Sequence, residues 1–147
     1  MESTTDNLAT ALFAEILTVE QLARTALARV LPRGMELSQF AVLNHLAHTG
    51  AERTPAQLAR SFHLTRGAMT NTLRKLEAAG WVHIRPDWDD ARRKLVSVSP
   101  AGVRARDAAL EAIAPILSDV VARVGTDKAR AALPVLRALR QGLSPED

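Results

Sequence analysis

The hydrophobic period of this 147-residue chain changes sharply at Gly80, from that of a helix to that of a strand. Upstream, Thr54-Pro55 pairs an N-cap residue with a proline at the first helical position, opening a helix from Pro55 to Phe62 that buries Leu58 and Ala59. His63 and Leu64 break it. Thr65 is a second N-cap, for a helix from Arg66 to Ala79, and Gly80 stands where a C-terminal cap glycine belongs. Downstream, Trp81 to Arg85 and Lys94 to Ser99 read as short strands, joined by the polar loop Pro86 to Arg93. Two short helices joined by a tight turn and followed by a hairpin have the order of a winged helix-turn-helix.

The flanks read as helices. Leu12, Ile16, Val19, Ala23, Ala26 and Val30 step by four and three along one face, ended by Pro32 and Gly34. Ser38 is expected to cap a short helix with Phe40, Leu43 and Leu46 on its apolar side, closed by Gly50. Ser99-Pro100 is a further cap-plus-proline signal. It starts a helix with Val103, Leu110, Ile113, Leu117, Val120 and Val124 in one stripe, broken at Gly125. Thr126 is expected to cap the last helix, through Ala129, Leu133, Leu136 and Leu139. Pro115 and Pro134 fall inside these helices. Each removes a backbone donor at a cost of about 3 kcal/mol unless offset, so kinks are expected. The expected fold is mainly α with a small β-hairpin: a winged helix-turn-helix over residues 37–99, a dimerisation helix over 1–36 and C-terminal dimerisation helices over 100–147, all in one intertwined domain.

Composition narrows the function classes. With no Cys, a disulfide framework, a thiolate metal site and a cysteine redox switch are excluded. Three Phe, two Trp and no Tyr leave the core to Leu, Val, Ile and Ala. Met1 to Ala11 carries Glu2 and Asp6 but no basic residue, unlike a secretory leader, and no 18-residue apolar run exists to cross a membrane. A cytoplasmic protein with no membrane partner is the simplest expectation. The net charge is only +3, yet Arg53 to Lys94 holds nine Lys and Arg against four acids. A basic middle third between near-neutral flanks suits a segment that faces a polyanion.

On a wheel of about 100° per residue, Met69, Leu73 and Leu76 of the Thr65–Ala79 helix cluster on one side and must face the core. Gly67, Thr70, Asn71, Arg74 and Ala78 fall opposite. That face suits double-stranded DNA. Its glycine and alanine permit close approach, Thr70 and Asn71 donate and accept, and Arg74 has the fork that grips guanine O6 and N7. Thr65 and Arg66 lie at the helix N-terminus, whose free N–H groups favour phosphate, and Lys75 lies on the phosphate-facing flank. In the loop, Asp90 is expected to hydrogen-bond the loop itself and orient an arginine, so that Arg92, with Arg93 beside it, reaches the minor groove. Trp81 reads as core packing; Trp88 has two readings, at the base of the wing or against a sugar edge.

The run from Leu64 through Arg66, Gly67, Asn71, Arg74, Gly80 and Trp81 to Val82 resembles the recognition helix and following strand of the MarR family of winged helix-turn-helix transcription regulators. Asp90-Ala91-Arg92, continuing to Val98-Ser99-Pro100-Ala101-Gly102, resembles that family's wing, with Val-Ser in place of its usual Leu-Thr. The resemblance implies a homodimer whose terminal helices intertwine, a pseudo-palindromic operator, a repressor's role and a small aromatic or anionic effector. The terminal stripes agree with the dimer, because neither has a partner within a small winged-helix core. A twofold dimer would read half-sites about one helical turn apart.

Two other readings compete with it. His45 and His48, at i and i+3 on one helix, have a spacing that chelates metal if His63, His83 or a carboxylate supplies a further ligand, which would make a metal-responsive regulator. A winged-helix module that binds protein is the second. No nucleophile elbow, Gly-rich phosphate loop or His-Glu-x-x-His helix is present, so neither an enzyme nor a bound cofactor is expected.

Overall fold

The computed structural model describes residues 3–144; residues 1–2 and 145–147, the outer ends of the two expected dimerisation segments, lie outside it. Helix α1 spans Thr4–Val30, α2 Leu37–Thr49, α3 Pro55–Ser61 and α4 Arg66–Ala78. Strands β1 (Val82–Pro86) and β2 (Lys94–Val98) follow, then α5 (Pro100–Val124) and α6 (Thr126–Leu143). The chain divides into two compact units after Ala112, within α5.

In the first unit the local signals account for most boundaries. The Thr54 hydroxyl accepts from the Gln57 N–H at 3.1 Å, while the Gln57 side chain accepts from the Thr54 N–H at 2.9 Å, closing a reciprocal cap on α3. The Thr65 hydroxyl accepts from the Ala68 N–H at 3.1 Å and starts α4. Gly50 and Gly80 end α2 and α4 with φ of 64° and 77°, backbone that side-chain-bearing residues rarely adopt. The strands pair antiparallel with Val82 opposite Val98 and Ile84 opposite Val96, one residue later at the start of β1 than the β-branched run predicts. Arg53 adds a rung on the far side of β2, donating to the Val96 carbonyl at 3.0 Å and accepting from its N–H at 2.8 Å.

One core joins these elements. Val42, Leu43 and Leu46 of α2, Leu58 and Ala59 of α3, Met69, Leu73 and Leu76 of α4, and Val82 and Val96 of the hairpin are all buried in it, together with Ala109 of α5. The hairpin is fastened to the start of α5 at one crowded point. The Ser99 hydroxyl donates to the Gly80 carbonyl at 2.6 Å and accepts from the Gly102 N–H at 2.9 Å. A Cβ on Gly102 would lie 2.0 Å from the Trp81 carbonyl oxygen. Trp81 is half-buried against the core, as its place at the head of the strand predicts.

Two cap assignments are corrected. Glu36, not Ser38, is the N-cap of α2, and its N–H donates to the Gln39 side-chain oxygen at 2.7 Å, which also accounts for the burial of Gln39. Val42 is buried there, while Phe40 is only half-buried. At the start of α6 the cap position falls to Gly125, at φ 114° and ψ 125°, and Thr126 is the first helical residue. The more favoured cap residue type lost at both places to the neighbour that the chain path put at the turn. Both α5 and α6 run on through their prolines, Pro115 and Pro134.

Helices α1 and α6 bury no residue fully. Leu8, Leu17, Val19 and Leu22 of α1 are exposed, as are Leu133, Val135, Leu136 and Leu143 of α6. Among the described residues, no helix is long and apolar enough to cross a membrane.

Candidate nucleic-acid interface

Helix α4 is amphipathic in the sense the sequence predicts. Met69, Leu73 and Leu76 are buried, with Thr72 beside them, and they fix the rotation of the helix on the core. Thr65, Arg66, Gly67, Thr70, Asn71, Arg74 and Ala78 are all exposed. A Cβ on Gly67 would meet nothing within 4 Å, so the glycine is not required for internal packing.

A cleft of about 700 Å³ separates this face from the hairpin, floored by the start of α3 at Thr54, Pro55 and Ala56. Six cations line it, Arg66 and Arg74 from α4 and Arg85, Arg92, Arg93 and Lys94 from the hairpin, against one acid, Glu77. Of the residues singled out from the sequence, the cleft brings together Arg66, Thr70, Arg74, Arg92 and Arg93. Thr65, Gly67, Asn71, Lys75 and Asp90 do not line it. Lys75 is engaged elsewhere: its ammonium lies 3.1 and 3.2 Å from the two Glu36 carboxylate oxygens, tying α4 to the start of α2.

The acids of the wing loop are its internal scaffold. Asp90 accepts from the Arg92 N–H at 3.1 Å and from Arg92 Nε at 3.3 Å, so it both turns the loop and steadies the guanidinium. The Arg92 side chain nevertheless stays 92% exposed. Asp87 accepts from the Asp89 N–H at 3.0 Å and from Arg93 Nη2 at 3.1 Å. These bonds, the backbone one foremost, hold the Asp87 carboxyl below its ordinary pKa although the residue is buried. The loop closes on itself through Asp87 N–H to the Arg93 carbonyl and Arg93 N–H to the Asp90 carbonyl, each 3.0 Å. Acids immediately before basics thus make a hydrogen-bonded tip that carries the exposed Arg92.

Sequence reasoning missed one cluster at the wing base. Arg85 donates Nε and Nη2 to the two Glu52 oxygens at 3.0 and 2.8 Å, and Nη1 to the Pro86 carbonyl at 3.0 Å. Its guanidinium carbon lies 4.1 Å from the centroid of the Trp88 ring. The bond to Glu52 raises the Arg85 pKa above its ordinary value. Glu52 and Arg85 are 33 residues apart, and no periodicity or motif links them. Trp88 therefore stands over the wing base, the residue as a whole still 83% exposed.

The metal reading finds no further ligand. Among the described residues no three His, Cys, Asp or Glu side chains gather to hold an ion. His45 instead packs edge-on against Phe62, ring centroids 5.4 Å apart.

A helix-turn-helix with an exposed, hydrogen-bonding second helix beside a basic hairpin defines the winged-helix class of DNA-binding proteins. Residues 33–93, the stretch that carries both helices and most of the wing, match the model of the MarR family of regulators. Solved structures resemble it over nearly its whole length. A mutant MarR from E. coli complexed with operator DNA is 26% identical, with a TM-score of 0.78, covering 97% of this chain and 100% of that one. The regulator BldR from Sulfolobus solfataricus is 21% identical, with a TM-score of 0.80, covering 97% and 98%. PcaV from Streptomyces coelicolor, solved with its natural ligand, is 19% identical, with a TM-score of 0.82, covering 98% and 100%. No curated protein sequence matches the chain.

Proposed function

We propose that this protein is a ligand-responsive repressor that binds a pseudo-palindromic operator as a homodimer in the cytoplasm, acting by binding and not by catalysis. The observation that carries the reading is the single basic cleft that Arg66, Thr70 and Arg74 of α4 share with Arg92 and Arg93 of the wing. Helix α4 enters the major groove. Arg74 forks onto guanine, Thr70 and Asn71 read neighbouring base edges, and Gly67 lets the backbone come close. Thr65, Arg66 and Lys75 serve phosphates, with Lys75 sharing its charge with Glu36. Arg92, steadied by Asp90, reaches the minor groove, and Arg93 braces the wing through Asp87.

The exposed leucines and valines of α1 and α6 support the dimer, since exposed apolar surface on a helix favours a partner. The likeness to a DNA-bound and a ligand-bound regulator supports operator binding and an effector. A small aromatic or anionic effector shifts the dimer only if it prefers the arrangement whose two α4 helices are wrongly spaced for DNA. The test is a mobility-shift titration against the DNA upstream of its own gene, over a salt series. Specific binding that weakens steeply with salt is expected. Equal binding to unrelated duplexes, or none, contradicts the proposal.

A further inference from the structure

We propose that Glu52, Arg85 and Trp88 form a positioning clamp that sets the angle of the wing, and that Arg85, although it lies in the basic cleft, is not a phosphate ligand. The inference rests on the DNA-binding reading above and concerns what one of its six cleft cations does.

Arg85 differs from its neighbours in how its donors are committed. Nε, Nη1 and Nη2 each hold a partner at 2.8–3.0 Å, two of them on Glu52 in the parallel geometry that suits a guanidinium and a carboxylate. One face of the guanidinium is covered by Trp88 at 4.1 Å. With three of its five N–H donors and one face engaged, Arg85 has only two donors left for a phosphate, and its charge is already matched by Glu52. Arg92, by contrast, has one weak side-chain bond, to Asp90, and is almost wholly exposed.

The three residues come from three places whose mutual orientation matters. Glu52 lies between α2 and α3, next to the Arg53 rung on β2. Arg85 is near the end of β1 and Trp88 is in the loop. The clamp therefore ties the wing to the helix-turn-helix, and the wing carries Arg92. If the angle slips, Arg92 misses the groove although nothing on Arg92 itself has changed.

Simple electrostatics and the clamp predict opposite signs for Glu52→Gln. Removing an acid near a polyanion, and freeing an arginine beside it, should tighten DNA binding and steepen its salt dependence. Loosening the clamp should weaken binding. Arg85→Lys keeps the charge and loses the two-pronged contact, so a phosphate role survives it and a clamp does not. The experiment measures affinity for the duplex upstream of the gene and for a random-sequence duplex, by fluorescence anisotropy across a salt series. It uses the full chain, Glu52→Gln, Arg85→Lys and the double variant. Trp88 emission is followed in parallel, as the difference from Trp88→Phe.

The expected result is a loss of about fivefold on the upstream duplex for each single variant, no further loss in the double variant, no steepening of the salt dependence, and altered Trp88 emission in both. Tighter or unchanged binding by Glu52→Gln, or wild-type binding by Arg85→Lys, overturns the clamp. If the wild-type chain binds neither duplex, it is the DNA-binding reading that falls, and the clamp's role with it.

Discussion

Arg74 and Gly102 show how differently single residues carry this molecule. Arg74 is exposed and lines the basic cleft, so its removal leaves the core untouched. Arg74→Ala is expected to leave thermal stability within about 0.5 kcal/mol while removing about 1–3 kcal/mol of discrimination at one base pair of each half-site. Lys75→Ala should weaken all duplexes alike, which competition between matched and mismatched duplexes would reveal. Gly102 acts through packing alone, because an added methyl would overlap the Trp81 carbonyl and crowd Val98. Gly102→Ala is expected to destabilise the fold by about 1–3 kcal/mol or more, read from chemical denaturation; unaltered stability would show that the junction yields freely.

At the scale of elements, helix α4 was legible because every signal that makes it is local: the Thr65 cap, the spacing of Met69, Leu73 and Leu76, and the glycine stop at Gly80. The caps at Glu36 and Gly125 were not, because residue preference competes there with the path the chain must take, and a better cap residue stood one or two positions away. The Arg53 rung and the Glu52–Arg85 pair were hidden for a different reason. They join segments far apart in sequence, and neither partner carries a periodic pattern. The wing offers a pH test of its scaffold. The folded pKa of Asp87 is depressed, so its contribution to stability is complete above the ordinary carboxylate value of about 4 and is lost as pH falls through the lower folded value. The unfolding free energy should exceed that of Asp87→Asn at neutral pH, and the gap should close only in acid below that range. A gap that closed near pH 6 would assign the effect to histidine instead.

On the scale of the whole molecule, the terminal helices present more apolar surface than one chain uses. In the sequence this is visible as stripes without partners, and the structure adds Leu8, Leu17 and Leu22 of α1 as exposed positions outside the Leu12–Val30 stripe. Leu133 and Leu136, both exposed on α6, are the direct probes of the proposed dimer. Leu133→Asp with Leu136→Asp should convert a dimer into a monomer by sedimentation while preserving helical content. It should also weaken operator binding far more than either recognition helix variant, since paired half-sites would then be bound one at a time. A wild-type chain that sediments as a monomer at micromolar concentration contradicts the dimer.

Helix α4 reads DNA, on this proposal, as one of a pair. Selection of bound sequences from a pool of randomised duplexes, run side by side with the wild-type chain and with Arg74→Ala, tests it most directly. The wild type should enrich an inverted repeat with half-site centres about 10 base pairs apart, and Arg74→Ala the same repeat with a guanine lost from each half. Enrichment of no repeat, or of an identical repeat by both proteins, would contradict it.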